Sequence, residues 1–355
     1  MPDTGQNAGN LSIVDSTTSL SLDETYFGLG SFSGIKISPL CLNSRYLSSD
    51  GGADYNDTPL LNKDDSTEIL RTYMELGGNF IETSLQYGYG NSQRFVGSFV
   101  KEMLCREELV ISAKVFGNYQ KDEPKVSGCG KKSILRSLDL TLDRLKSNYV
   151  DLLWVDYWDR ITPARELMRT LNQIVDNGNV LHLGLANMPA WYIAQCQQLA
   201  LANGYETIIA VQADYNLCNR TADETYFDFC RQSGLSFMPS APLADGYLSG
   251  SQHYMKEEHN LVKVEKNKQI LNHLEKLSKE IQRPPAQIAL SWSLRRPTVS
   301  SVLITPYTVD QLQSSVKCLD LKLTSKQLLG IDKVTLTREQ QDKYKVHQLP
   351  PWWMQ

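Results

Sequence analysis

The sequence predicts an α/β fold: a (β/α)8 TIM barrel on a parallel sheet, with an extra C-terminal helix and an aromatic tail. Three observations carry this. Near-continuous apolar runs rich in β-branched residues alternate with amphipathic stretches of helical period, as expected of parallel strands covered on both faces. Counted from Ile35, these runs number eight, which closes a barrel. Residues able to do acid–base chemistry sit at the carboxyl ends of several runs, where a barrel of this kind builds its site. A doubly wound sheet of six or seven strands is the alternative.

The domain reading is a polar tail over residues 1–34, a barrel over 35–335 and a C-terminal tail over 336–355. Ile35–Leu42 reads as the first strand, and the Gly/Ser/Asp-rich stretch Asn43–Leu61 as a loop. Ser66 opens a helix that closes at Gly77-Gly78. Asn79–Ser84 is the second strand, followed by a Gly-rich turn and a helix from Ser92 to Met103. Strand Leu109–Val115 precedes helix Lys131–Lys146, whose Ile134, Leu138, Leu142 and Leu145 recur at turn spacing. The unit repeats through strands Val150–Tyr157, Val180–Asn187, Ile208–Tyr215 and Leu235–Pro242. Their helices are Pro163–Asn177, Ala190–Ala202 and Asp223–Ser233, then a longer helical region from Val264 to Arg296. Ser301–Thr305 is the last strand, Val309–Leu319 its helix, Leu323–Val334 the extra helix and Tyr344–Gln355 the Pro-broken aromatic tail.

Composition excludes several classes of function. A chain of 355 residues, 41% hydrophobic, buries a large core. The net charge of −4 comes from interspersed charges of both signs, and no basic stripe suits a phosphate backbone, so nucleic acid is not an expected partner. Seven cysteines without a CxxC spacing read as reduced thiols in a cytoplasmic protein. No apolar run is long enough to span a bilayer, and no His/Cys/Asp cluster has metal-ligand spacing. A small-molecule substrate remains, and the sequence is silent on oligomeric state.

The stretch Gly78–Gly97, GNFIETSLQYGYGNSQRFVG, places Glu82 near a strand end and Tyr87 just beyond it. The next strands offer Lys114, Asp156, Asn187 and Gln212 at their carboxyl ends, and the seventh runs into Pro242-Leu243-Ala244. An acid, a tyrosine and a lysine at one mouth can turn a phenol into a proton donor: the ammonium lowers the phenol's pKa and the carboxylate holds the ammonium. The plainer readings are that Glu82 is only Lys114's counter-ion and that Asn187 and Gln212 are hydrogen-bonding barrel residues. His182 reads as a packed or solvated histidine, and Gly28-x-Gly30 lacks the strand-turn-helix context of a dinucleotide signal.

These residues, in this order, resemble the aldo-keto reductase superfamily from about Ser38 to Leu323, and the tryptophan-rich WVDYWD is similar to its norsolorinic-acid-reductase-like and aryl-alcohol-dehydrogenase-like branch. The resemblance implies an NADP(H)-dependent oxidoreductase interconverting a carbonyl and an alcohol, on a secondary metabolite, with Tyr87 as proton donor. It puts Glu82 on the family's aspartate, Lys114 on its lysine and Asp156 on its histidine. Asn187 and Gln212 would hold the nicotinamide carboxamide, and Pro242, Leu243 and Ala244 the pyrophosphate. Tyr307, Gln311 and Ser315, in TPYTVDQLQSS, fall in the loop that recognises the adenosine 2′-phosphate.

Three departures bear on function. Glu82 is a methylene longer than aspartate. Asp156, if ionised, can only accept a hydrogen bond and would oppose the alkoxide formed by hydride delivery. Thr305, Tyr307 and Ser315 stand where glycine, arginine and asparagine would be, so NADP is expected to bind weakly or not at all unless Lys317 or Arg296 takes over. Three hypotheses stay open: a carbonyl reductase; a redox-free acid/base enzyme such as a cyclase, dehydratase or isomerase; and a non-enzymatic binding protein on the same barrel.

Overall fold

In the computed structural model of the chain, residues 21–22, 26–54, 58–116, 128–250, 265–336 and 340 are described. Most of the expected N-terminal tail and the whole aromatic tail from Tyr344 to Gln355 lie outside them. Ten strands and eleven helices occur among the described residues. Eight strands form one parallel sheet: β3 (Leu40–Asn43), β4 (Phe80–Ser84), β5 (Val110–Phe116), β6 (Val150–Asp156), β7 (Val180–Ala186), β8 (Ile208–Asp214), β9 (Ser236–Ser240) and β10 (Val302–Ile304). Their spatial order is β10-β3-β4-β5-β6-β7-β8-β9, so the last strand lies beside the first, with Val302 opposite Leu40 and Ile304 opposite Leu42. Between β9 and β10, Phe237 bridges to Val299, and its N–H donates to the Thr298 carbonyl at 2.7 Å. The chain is therefore the nearly closed (β/α)8 barrel that the alternation predicts.

Between the strands run α1 (Lys63–Glu75), α2 (Asn91–Met103), α3 (Lys131–Leu145), α4 (Ala164–Asp176), α5 (Ala190–Asn203), α6 (Ala222–Thr225), α7 (Phe227–Ser233), α8 (Glu265–Ile281), α9 (Pro285–Leu294) and α10 (Val309–Val316). The apolar core has two layers. Cys41, Phe80, Leu152, Trp154, Ala210 and Met238 fill the barrel, while Val96, Leu138, Leu171, Ile193 and Leu290 pack among strands and helices. Every residue of β4 and β6 is buried, which is why these strands read as unbroken apolar runs and not as alternating ones. Trp154 occupies the interior opposite Gly184, where an added Cβ would come within 2.4 Å of the indole.

Three elements differ from the sequence reading. The first strand divides at Ser38-Pro39: β1 (Phe27–Gly28) and β2 (Lys36–Ile37) form an antiparallel hairpin from part of the presumed tail, and only Leu40–Asn43 joins the barrel. That hairpin closes the barrel floor. Leu29 and Ile37 belong to the interior cluster, and Gly30, in the left-handed region at φ 73°, donates its N–H to Ser236 Oγ at 2.7 Å. The helical region ending at Arg296 is two helices, because Pro284-Pro285 removes the N–H donors that continuity needs and Pro285 begins α9. The helix expected from Asp223 to Ser233 breaks at Tyr226 into α6 and α7.

The extra helix is α11 (Ser325–Thr335), opened by a capping box between Thr324 and Gln327. It is tied to the loop after β8 by buried charges. Arg220 pairs with Asp223 at 2.5 Å and Asp332 at 2.8 Å, and Arg296 with Asp223 at 3.4 Å. Both guanidinium groups also lie against the Trp292 ring, 4.9 and 4.7 Å from its centroid.

Candidate active site

Glu82, Lys114 and Gln212, from β4, β5 and β8, meet across the carboxyl end of the barrel. Lys114 Nζ lies 3.3 Å from Glu82 Oε1 and donates to Gln212 Oε1 at 2.5 Å, and Gln212 Nε2 donates to Glu82 Oε2 at 2.5 Å. Glu82 and Gln212 are fully buried and Lys114 is 8% exposed. The orientation of the Gln212 amide follows from its partners: an ammonium only donates and a carboxylate accepts. The chain folds here into a closed three-membered ring of charge-assisted hydrogen bonds.

Tyr87 reaches this ring from the turn after β4. The turn Tyr87–Gly90 holds Gly88, Tyr89 and Gly90 at φ 54°, 56° and 90°. A Cβ on Gly90 would strike the Arg144 guanidinium at 2.4 Å, and Arg144 in turn donates to the Leu85 carbonyl at 3.2 Å. So held, the Tyr87 phenol donates to Glu82 Oε1 at 3.2 Å and accepts from Asn43 Nδ2 at 3.2 Å. Asn43 ends β3 beside Glu82. The sequence reading ended that strand at Leu42 and missed the residue, although a polar group closing an apolar run was the available signal.

The electrostatics correct one expectation. Burial drives the Tyr87 phenol well above its ordinary pKa; Lys114 pulls the other way, as expected, but is outweighed, with Glu82 adding to the rise. The phenol is therefore firmly protonated at rest. Burial opposes the charge on Lys114, yet Glu82, Tyr87 and Asp156 together hold its pKa above the ordinary lysine value.

Asp156, at the end of β6, is 6% exposed, 3.9 Å from Lys114 Nζ, and accepts from Asn187 Nδ2 at 2.8 Å. Burial raises its pKa against the pull of Lys114 and Asn187, with Glu82 and Asp214 adding to the rise. Asn187 has φ 52°, and its N–H donates to the Gln212 carbonyl at 2.9 Å, which turns its amide toward the mouth. Tyr157, next to Asp156, is a second residue that sequence reasoning passed over. It stands at φ 62°, 51% exposed, its N–H bound to the Ala186 carbonyl and its own carbonyl to Cys129 Sγ.

The remaining expected residues lie in rim loops. Pro242, Leu243 and Ala244 follow β9 in a tight segment where Ala241, Ala244 and Asp245 all have positive φ. Tyr307, Gln311 and Ser315 are engaged locally. Gln311 Oε1 accepts from the Tyr307 N–H at 2.7 Å, the Tyr307 hydroxyl donates to the Pro59 carbonyl at 3.1 Å, and Ser315 Oγ donates to the Gln311 carbonyl at 2.7 Å. Thr308 caps α10 and Asp310 stands in its first turn. Of the two cations named as substitutes, Arg296 is committed to the buried network against Trp292 and Lys317 caps the far end of α10. Among the described residues no group of His, Cys, Asp and Glu could hold a metal ion, and no helix is long and apolar enough to cross a membrane.

Several curated proteins are similar to this chain over most of its length. A norsolorinic acid reductase of Aspergillus flavus is 28% identical over 310 residues, which is 86% of this chain and 79% of that protein. An aryl-alcohol dehydrogenase of Pestalotiopsis microspora is 28% identical over 84% of this chain and 79% of its own length. A versiconal hemiacetal acetate reductase of Aspergillus parasiticus is 28% identical over 83% of this chain and 93% of its own. The model of the aldo/keto reductase family matches residues 51–335. That match takes in every barrel strand except β3, so it describes the whole fold and not one motif, and by it the chain belongs to the aldo/keto reductase family of oxidoreductases that interconvert carbonyls and alcohols.

Proposed function

We propose that this enzyme reduces a carbonyl of a small aromatic secondary metabolite to an alcohol, or runs the reverse oxidation, with Tyr87 as the proton donor. The observation that carries the proposal is the Glu82 carboxylate, shared by the Tyr87 phenol at 3.2 Å and the Lys114 ammonium at 3.3 Å. Burial keeps the phenol protonated until a substrate oxygen offers it a partner. As the proton leaves, Lys114 supplies the charge that offsets the phenolate, and Glu82 with Gln212 keeps the ammonium in place. Burial raises the pKa of Asp156 against the pull of Lys114 and Asn187, a shift toward the neutral acid that can donate a hydrogen bond where an ionised carboxylate would repel an alkoxide.

A nicotinamide dinucleotide supplies the hydride when bound. The residues fit its two ends unequally. At the barrel mouth Asn187 would meet the carboxamide with its amide, whose Nδ2 also reaches Asp156, while Gln212, buried and bound at both ends to Lys114 and Glu82, would add to it only through its remaining amide hydrogen or lone pair. At the start of α10 the fit to a 2′-phosphate fails: Asp310 brings negative charge, and Thr308 and Gln311 already occupy the Gln311 and Tyr307 N–H groups. The expected preference for NADP is therefore weak, and NADH serves about as well. The aromatic substrate class rests on what the relatives are named for and on exposed Tyr157 and Ile161 in the loop after β6 and Trp191 in the first turn of α5. Seven free cysteines favour a cytoplasmic location.

The test is isotopic. Deuterium carried from labelled NADH or NADPH into the alcohol product supports the reading, and undiminished turnover after the cofactor is stripped refutes it. One observation favours a second reading, redox-free acid/base chemistry: Asp156, its pKa raised by burial, lies 3.9 Å from Lys114 at the same mouth and acts electrostatically on Tyr87. Cofactor-independent turnover that falls in Asp156→His selects that alternative.

A further inference from the structure

Asn43 has an orientation that chemistry alone fixes. Its Oδ1 accepts the Arg45 N–H at 2.9 Å, and a backbone N–H can only donate, so the atom facing it is the amide oxygen. The amide nitrogen then faces the Tyr87 phenol oxygen at 3.2 Å. With one oxygen lone pair taken by that N–H, the phenol's own proton is directed to Glu82 Oε1. Asn43 is a strand-end residue paired with Glu82 in register, so its backbone is as fixed as the carboxylate's.

We propose that Asn43 is a positioning residue of the reductase site, which fixes the Tyr87 phenol oxygen and stabilises it after its proton has passed to the substrate. The proposal rests on the reading of Tyr87 as proton donor. In the step it serves, the Tyr87 O–H bond breaks and an O–H bond forms on the substrate oxygen, while the electron pair left on the phenolate stays in the Asn43 hydrogen bond beside the Lys114 ammonium. A neutral phenol oxygen gains modestly from an N–H donor and a phenolate gains more, so the contact favours the state reached after proton transfer. The charged groups acting on the phenol are Glu82 of β4, Lys114 of β5, Asp156 of β6 and, from the loop after β3, Arg45. Arg45 is itself bound to Asp54 at 2.9 Å, so Asn43 is the uncharged donor in this set.

Two substitutions isolate the role together: Asn43→Asp keeps the oxygen that accepts the Arg45 N–H, and hence the turn, but exchanges the N–H aimed at Tyr87 for an anionic oxygen, so only an effect it shares with an uncharged variant reports the lost N–H. Asn43→Leu, the uncharged variant, removes both the oxygen and the N–H. Two readouts apply to wild type and both variants. One is the ζ-carbon resonance of Tyr87 in protein made with labelled tyrosine, assigned by its absence in Tyr87→Phe. The other is the pH profile of benzaldehyde reduction with NADH or NADPH. The expected result, in both variants alike, is a displaced Tyr87 resonance and a kcat lowered about tenfold with a nearly unchanged KM, and no alkaline limb entering the profile below the ordinary tyrosine range. An unmoved resonance overturns the contact. A moved resonance with a wild-type kcat and pH profile overturns its part in proton transfer. If the wild-type enzyme carries out no cofactor-dependent reduction, the reductase reading fails, and with it the positioning role, while the resonance still decides whether Asn43 fixes the phenol.

Discussion

Removing the ammonium from the barrel mouth tests the site's energetics and chemistry together. In Lys114→Met, Glu82, with 0% of its side chain exposed, loses the cation 3.3 Å away, and Gln212 Oε1 loses its donor. Breaking a buried ion pair by deleting one partner destabilises by about 3–5 kcal/mol, because the surviving charge stays desolvated. Glu82 still accepts from the Tyr87 phenol and from Gln212 Nε2, so the lower figure, about 3 kcal/mol, is expected. Adding Glu82→Gln removes the stranded charge. The double variant should regain most of that loss and end about 1 kcal/mol below wild type, the worth of the hydrogen bonds left imperfect. Urea unfolding measures all three proteins. Carbonyl reduction should be absent from both variants. A single variant that loses less than about 1 kcal/mol, or a double variant no more stable than the single, would refute the claim that the ammonium offsets a buried carboxylate.

Tyr87→Phe should lower turnover by more than about a hundredfold with the melting temperature nearly unchanged, since one hydroxyl is removed from a general acid; steady-state kinetics beside a thermal melt decides it. Asp156→Asn should be more stable than wild type at neutral pH. With its folded pKa raised, Asp156 contributes stability below its unfolded value of about 3.9 that is lost as the pH rises through the folded value, and the amide cannot lose it. Urea midpoints that fall with pH equally in both proteins would contradict this. Fluorescence titration should give dissociation constants for NADH and NADPH within about tenfold of each other, because the charge-assisted contact that would separate them by about 1.5–3 kcal/mol is missing from α10. Tight, selective NADPH binding would show that a cation outside the start of α10 serves the phosphate.

The fold was legible because a parallel barrel buries both faces of each strand, so β4 through β8 announce themselves as apolar runs whatever their neighbours. Glu82, Lys114, Asp156 and Gln212 were legible for a related reason, being polar residues at or near the ends of such runs, where burial without a partner is unfavourable. Asn43 was not, because the first strand was read from Ile35 and its true carboxyl end moved past the chosen boundary once Ser38-Pro39 separated hairpin from barrel. The acidity of Tyr87 also escaped. A neighbouring lysine is visible in the sequence, whereas desolvation by the surrounding turn is a property of three-dimensional packing, and here it is the larger influence. The Arg144 side chain that fits against Gly90 joins α3 to that turn across a sequence distance no local pattern spans.

The charges that bind α11 to the loop after β8 set an order on the making of the chain. Arg220 and Asp223 are synthesised together, but Asp332 lies 112 residues downstream of Arg220, an interval of roughly 6–22 s at about 5–20 residues per second of translation. In the finished fold Arg220 and Arg296 both bear on Asp223 beside Trp292, sealed from water, and Asp332 is a second carboxylate facing the pair. The last turn of α11 therefore delivers the second carboxylate to a cluster that already holds two guanidinium groups, and a chain cut short ahead of Ser325 would keep every strand of the barrel but leave that buried positive charge only half matched.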